Sequence, residues 1–213
     1  MDAKLFADLF VDRRACLAYV LADEDHGCGW IGGHAPAYFD DKPELLDDDG
    51  IRRYFYLTLI SPVDGQMLSV FMPDFGTYLK HNVYPDATIK VITHDVSPES
   101  DSDQYDMPSD RYDGPLVTKT YLSQIQTVEE PHVTQPCLVQ VGGLPAFIQD
   151  EAYYYQAIVE AGYQFFATID EDGYKTARII HGSDPFCYGA AYLYAMITNH
   201  DVTDIQFGFW QNS

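Results

Sequence analysis

The chain has 213 residues, the size of one large domain or two small ones, and 46% of them are hydrophobic and 15% aromatic. Against 33 Asp and Glu stand 12 Lys and Arg, a net charge of −21 at pH 7. The apolar content offsets the entropy of ordering and argues against intrinsic disorder, while direct nucleic-acid binding lacks the basic footprint it needs.

In chain order, Asp2 is placed to cap a short helix whose apolar positions Leu5, Phe6, Leu9 and Phe10 recur at helical spacing and which ends near Arg13 or Arg14. This start has no basic region ahead of an apolar stretch and no small-residue cleavage site, so it does not read as a secretory signal. No apolar run reaches the roughly 18–20 residues that span a bilayer. The sequence therefore predicts a soluble, cytoplasmic protein. Cys16, Cys28, Cys137 and Cys187 form no CxxC pair and read as reduced, mostly buried thiols.

Ala15 to Leu21 reads as a strand entering the acidic turn Ala22 to His26. Further strands are expected at Ile51 to Ile60, Met67 to Met72, Ala87 to Thr93, Val117 to Ile125, Tyr163 to Ile169, Thr176 to His181, Ala190 to Ile197 and Thr203 to Trp210. A second helix, Asp150 to Ala161, stops at Gly162, where a left-handed cap costs least. Strands with few helices and no regular alternation predict an α+β fold of mainly antiparallel sheet.

Two segments repeat: IGGHAPAYFDD at Ile31 to Asp41 and VGGLPAFIQDE at Val141 to Glu151, 110 residues apart. At the same spacing Phe55 to Leu59 aligns with Phe165 to Ile169, and later strands follow in order with growing spacing. One domain over 1–213 with two internally similar halves, about 15–95 and 137–213, is the expectation. Between them, about 95–114, lies an acidic linker whose composition reads as solvated loop.

Candidate chemistry is thin. The Gly-Gly pairs lack phosphate-loop spacing and suit rigid turns. His26, Cys28 and His34 lack the convergent partners of a zinc site, so no metal and no cofactor is expected. His181, Asp184 and Cys187 lie in HGSDPFC, which reads as a turn, as do Asp47 to Asp49 before Gly50. Asp170, Glu171 and Asp172 before Gly173 read as a hairpin turn. Tyr153, Tyr154 and Tyr155 point about 100° apart on a helix, so at least one should be exposed, a hint of a contact surface.

The ordered set IGGHAP, YFYLTLISP, VGGLPAFIQ, YQFFATIDEDG, YGAAYLY and DIQFGFWQ resembles the YwqG-like family of bacterial proteins, a domain of unknown function. The resemblance runs from about Trp30 to Gln211 and is carried by Gly143, Pro145, Ile148 and Gln149, by Ile169 and Asp170, and by Gly189, Tyr192 and Tyr194. The chain departs from the family pattern at Gly29 and Trp30, where Ser-Lys is common, and at Thr168, where Gln is common. The resemblance implies an α+β fold with internal similarity, no established catalytic residues, and kinship with immunity proteins of bacterial toxin systems.

Three functions follow as alternatives. The first is a non-enzymatic protein that binds a basic partner such as a toxin domain through Asp101, Asp103, Asp106, Asp110 and Asp113, with aromatic anchors from Tyr153 to Tyr155, Tyr105 or Tyr112. The second is a small-molecule enzyme or binder with a pocket between the halves. The third is a structural or homo-oligomeric module. None involves nucleic acid or a membrane.

Overall fold

The computed structural model describes residues 1–47, 49–108, 116–130, 132–133, 135–174, 179–198 and 200–212. Its first element is α1 (Ala3–Phe6), continued by a wider turn over Ala7–Val11; the Asp2 carboxylate accepts the Leu5 N–H at 2.8 Å, as an N-cap does. Among the described residues ten strands follow: β1 (Cys16–Ala22), β2 (Gly29–Ile31), β3 (Tyr54–Ile60), β4 (Met67–Met72), β5 (Lys90–His94), β6 (Thr120–Val128), β7 (Val139–Val141), β8 (Gln164–Asp170), β9 (Ala190–Ile197) and β10 (Val202–Gln211). Short helices interrupt them: α2 (Glu44–Asp47), α3 (Phe75–Tyr78) and α4 (Ala152–Glu160), the last stopped at Gly162 with φ 95°. Among the described residues, no helix is long and apolar enough to cross a membrane.

All ten strands join one antiparallel sheet in the order β10-β9-β8-β7-β1-β6-β2-β3-β4-β5. The coarse expectation, mostly antiparallel sheet with few helices, is the observed architecture. Gly29, Trp30 and Ile31 pair with Leu59, Thr58 and Leu57, while Val139, Gln140 and Val141, each 110 residues on, pair with Ile169, Thr168 and Ala167. The bulges between Phe55 and Leu57 and between Phe165 and Ala167 obey the same spacing. So do the hydrogen bonds from Gly32 N to Tyr56 O and from Gly142 N to Phe166 O, 2.9 and 2.8 Å.

The sheet curls until its edges approach. The segment 82–84 meets β10 through Tyr84 N to Gly208 O at 2.7 Å and Trp210 N to Asn82 O at 3.2 Å, leaving a nearly closed barrel. Period-two alternation sends one set of side chains inward, including Tyr56, Val70, Phe166, Leu193 and Trp210, where Phe6, Leu9 and Phe10 join them. The other face carries two separate clusters. One, around Trp30, Phe39, Phe55 and Phe71, lies under the loops near β3 and β4; the other, around Ile158, Phe165, Tyr192 and Phe209, lies under α4.

Both Gly-Gly turns require glycine. Gly32 and Gly142 sit at φ 65° and 75°, and a Cβ would fall 2.4 Å from the Val117 carbonyl oxygen and 2.8 Å from Leu9 Cβ. Gly65, at φ 77°, has nothing within 4 Å of such an atom. Each site carries the left-handed penalty of about 1–2 kcal/mol, but only the first two add a clash. Gly32→Ala and Gly142→Ala should therefore lower the melting temperature clearly more than Gly65→Ala, read by calorimetry at about 2–4 °C per kcal/mol; equal shifts would reject the close-packing reading.

Several expectations need correction. The three-residue strands β2 and β7 were not expected. The Asp172-Gly173 hairpin is instead a tight helical turn over Glu171–Tyr174, with Gly173 against the Leu138 backbone so that a Cβ would meet Leu138 Cα at 2.5 Å. Of the expected strand Thr176 to His181, the first three residues lie outside the described residues, while Ile179 to His181 pair with Leu116 to Thr118. Of the Asp47 to Asp49 run, Asp48 also lies outside them; Asp47 closes α2 and Asp49 bonds Arg53.

Candidate functional site

The acidic segment is not a solvated loop over its described part. Ala37 N donates to Pro98 O and Ser100 N to Ala35 O, both 2.8 Å, while the Ser100 hydroxyl donates to Asp40 Oδ1 at 2.6 Å. Phe55 N donates to Tyr105 O at 2.6 Å, and the Tyr105 ring, 5% exposed, packs edge-on against Phe71. Glu99 accepts His34 N–H at 3.1 Å on one oxygen and the Lys119 ammonium on the other. Backbone pairing and a buried tyrosine thus outweigh the composition, and the segment caps the cluster around Trp30.

Asp101 and Asp103 stand exposed on this anchored backbone. Asp106 is partly buried, its carboxylate 2.8 Å from His34 Nδ1, a contact that raises the His34 pKa. Asp110, Asp113 and Tyr112 lie outside the described residues. Tyr105 is buried, which removes it as an exposed anchor. On α4 Tyr153 is 70% exposed, while Tyr154 and Tyr155 lie partly against the cluster beneath the helix.

The side chains His26, Cys28 and His34 do not converge; His26 is exposed, and His34 faces Asp106. Among the described residues, no group of three or more His, Cys, Asp or Glu is placed to hold a metal ion. His181 Nε2 bonds Thr118 Oγ1 at 2.7 Å, turned to a partner other than Cys187. Burial raises the pKa of the Cys187 thiol, which holds it in the less nucleophilic protonated form. Cys16 and Cys137 are buried, with thiols pushed up to about 11 and about 12 by burial, and all four cysteines are free.

One pair escaped the sequence reading. Ser69 Oγ lies 2.8 Å from His94 Nε2, and His94 Nδ1 lies 2.8 Å from the Asp95 carbonyl. With Nδ1–H donated to that carbonyl, Nε2 is an acceptor, as a general base is, and the serine's single proton has a second acceptor in Thr58 Oγ1 at 3.0 Å. Both side chains are buried, however, with Tyr38 stacked on the imidazole at 4.5 Å. No substrate reaches that hydroxyl, so the pair is a satisfied core contact.

A cavity of about 300 Å³ opens where the end of β4, the connection after Tyr105 and the loop 183–187 meet. Its walls include Met72, Phe75, Met107, Leu116, Pro185 and Asp184. The loop is held from beneath by Glu171, whose two oxygens accept Phe186 N–H at 2.6 Å and Gly189 N–H at 3.0 Å. Tyr78 donates its hydroxyl to Pro185 O at 2.5 Å, and Phe186 is sealed between Tyr56, Tyr78 and Trp210. Cys187 and Tyr188 take left-handed backbone, φ 56° and 63°, so the loop carries strain that these anchors restrain. Beside Glu171 the hydroxyls of Tyr56 and Tyr174 bond each other inside the barrel.

Compared with known proteins, the chain matches no family model, no curated protein and no solved structure. The two candidate regions are the anchored acidic segment and the cavity behind loop 183–187.

Proposed function

We propose that this chain is a non-enzymatic binding protein for a basic protein partner, acting in the cytoplasm as an immunity protein neutralising a bacterial toxin domain. The observation that carries this reading is the anchoring of the acidic segment: Ser100 and Tyr105 fix its backbone, so Asp101 and Asp103 are presented without the ordering cost of a loose linker. The net charge of −21 supports it, since a field of one sign steers a basic partner and speeds encounter. Exposed ion pairs contribute only about 0–1 kcal/mol each, so tight binding also needs an apolar anchor, for which exposed Tyr153 is suited. The chain is on this reading one domain of two internally similar halves; the shared register of β2–β3 and β7–β8 at a spacing of 110 supports that.

The test is to identify a neighbouring gene that encodes a basic domain and to measure association of that domain with the wild type and with a variant in which Asp101, Asp103, Asp106, Asp110 and Asp113 are all changed to Asn. Charge steering predicts a slower rate in the variant, and a rate that falls steeply with salt as the Debye length shrinks from about 30 Å at 0.01 M to about 8 Å at 0.15 M. A rate unchanged in both comparisons rejects the segment as the contact. Absence of a complex, or a stable homo-oligomer that buries the segment, rejects the immunity reading for that pair.

A further inference from the structure

We propose that the cavity behind loop 183–187 binds an amphipathic monocation, an alkyl or arylalkyl ammonium group, with Asp184 as its anionic partner. This goes beyond the acidic-surface reading and does not depend on it. The cavity, about 300 Å³, is walled largely by apolar side chains, among them Met72, Phe75, Met107, Leu116 and Pro185. Among the described residues, the formal charges in its lining are two carboxylates, Asp74 and Asp184, with no Lys, Arg or His.

That lining discriminates. An anion would meet two carboxylates, and a neutral apolar ligand would strip water from Asp184 while offering nothing in return. A divalent cation takes six or more oxygens, which apolar walls do not provide. A monocation with an apolar body satisfies both parts, since its hydrocarbon covers the methionines and its ammonium pairs with the carboxylate. Asp184 is half-buried and its side chain has no hydrogen bond or ion pair among the described residues. Burial raises its pKa, as expected of a carboxylate with no charged partner among the described residues.

Size and rigidity fit the same ligand. At about 30 Å³ per small group, the space takes roughly ten non-hydrogen atoms. The rings of Tyr54, Phe75 and Tyr78 also line it, and aromatic faces attract ammonium groups. The Tyr78 hydroxyl is already committed to Pro185 O, and Glu171 holds Phe186 and Gly189, so the wall is set before a ligand arrives. The same ammonium chemistry is offered by a free amine and by a lysine side chain of a partner.

The experiment uses the full chain with ¹³C-methyl methionine and three probes: 2-phenylethylamine, its neutral isostere 2-phenylethanol, and a short peptide with a single lysine. The five methionines divide usefully, for Met72 and Met107 line the cavity whereas Met67 and Met196 do not. The amine should shift Met72 and Met107 saturably and bind at least tenfold more tightly than the alcohol. Asp184→Asn should lose that tenfold, with the Met67 and Met196 signals reporting an intact fold. Met107→Trp, which fills space without touching a charge, should abolish the Met72 shift and decides the matter should Asp184→Asn fail to fold.

Amine binding that excludes the peptide assigns a free small molecule, and binding of both amine and peptide assigns a site that also admits a partner's lysine; either supports the site. Equal affinity for amine and alcohol, an unaffected Asp184→Asn variant, or shifts that spare Met72 and Met107 would overturn it. Asp101→Asn with Asp103→Asn should leave amine binding intact, which separates this result from the fate of the acidic-surface reading.

Discussion

Replacing Arg53 with methionine is expected to cost several kcal/mol of stability, because it leaves buried backbone acceptors unpaired at about 1–3 kcal/mol each. Arg53 is 2% exposed and engages all three guanidinium nitrogens: Nε donates to Thr88 O at 2.7 Å, while the two N–H groups of Nη1 are shared among Leu46 O at 2.5 Å, Ile51 O at 3.0 Å and Asp49 Oδ1 at 2.8 Å. Nη2 completes the fork on the other Asp49 oxygen. Methionine fills similar volume but leaves these carbonyls without their donor, and an unsatisfied buried acceptor costs about 1–3 kcal/mol. At about 2–4 °C per kcal/mol, the midpoint should fall by roughly 10 °C in calorimetry. Lysine keeps the charge without the planar fork and should lie between the two.

The same contact has a pH signature. The Arg53 hydrogen bond holds the Asp49 carboxyl well below its ordinary value, so Asp49 stabilises the folded chain above its unfolded pKa near 4 and loses that contribution as pH falls toward its folded pKa. Asp49 is substantially exposed, which screens the effect, so the acid-range difference between wild type and Arg53→Met should be smaller than the loss at neutral pH. A loss under about 1 kcal/mol at neutral pH would show that the loop 44–51 repacks without its arginine.

Why Arg53 was invisible in the sequence explains much of what was and was not legible. Met67–Met72 and Ala190–Ile197 are read correctly to the residue because their runs are continuous and both faces are buried. β2 and β7 are three residues each, too short for any period, and the pairing of β2 with β3 depends on Gly29, where a Cβ would lie 2.2 Å from Thr58 O. The acidic segment misled because composition counts charges but not partners: Glu99 has His34 and Lys119, Ser100 has Asp40, and Tyr105 has a cluster to enter. Asp184 and Glu171 were each assigned to turns. Asp184 does open a turn, closed by Cys187 N donating to Asp184 O at 3.0 Å, but nothing local says that Glu171 sits beneath it on a segment more than ten residues away.

Glu171 should make stability fall as pH rises through the neutral range. Burial, only partly offset by the Phe186 and Gly189 N–H groups, pushes its carboxyl up to about 8 from an ordinary 4.5. Between those values the unfolded chain has released the proton and the folded chain still holds it, so the slope of stability with pH is negative; above about 8 both are ionised and the slope vanishes. At about 1.4 kcal/mol per pH unit, the full window corresponds to several kcal/mol as an upper bound. The −21 charge adds its own repulsion over the acidic part of the range, so the contribution is isolated by difference. Glu171→Gln removes the titration but turns an amide NH₂ toward one of two backbone N–H donors, losing an acceptor at a cost of about 1–3 kcal/mol. The variant should be less stable than the wild type near pH 5 and close on it, or overtake it, by pH 8. Faster amide exchange at Phe186 or Gly189 in the variant would place the loss in the cavity wall. Parallel stability profiles from pH 5 to 9 would mean that Glu171 is ionised throughout, its backbone donors outweighing its burial.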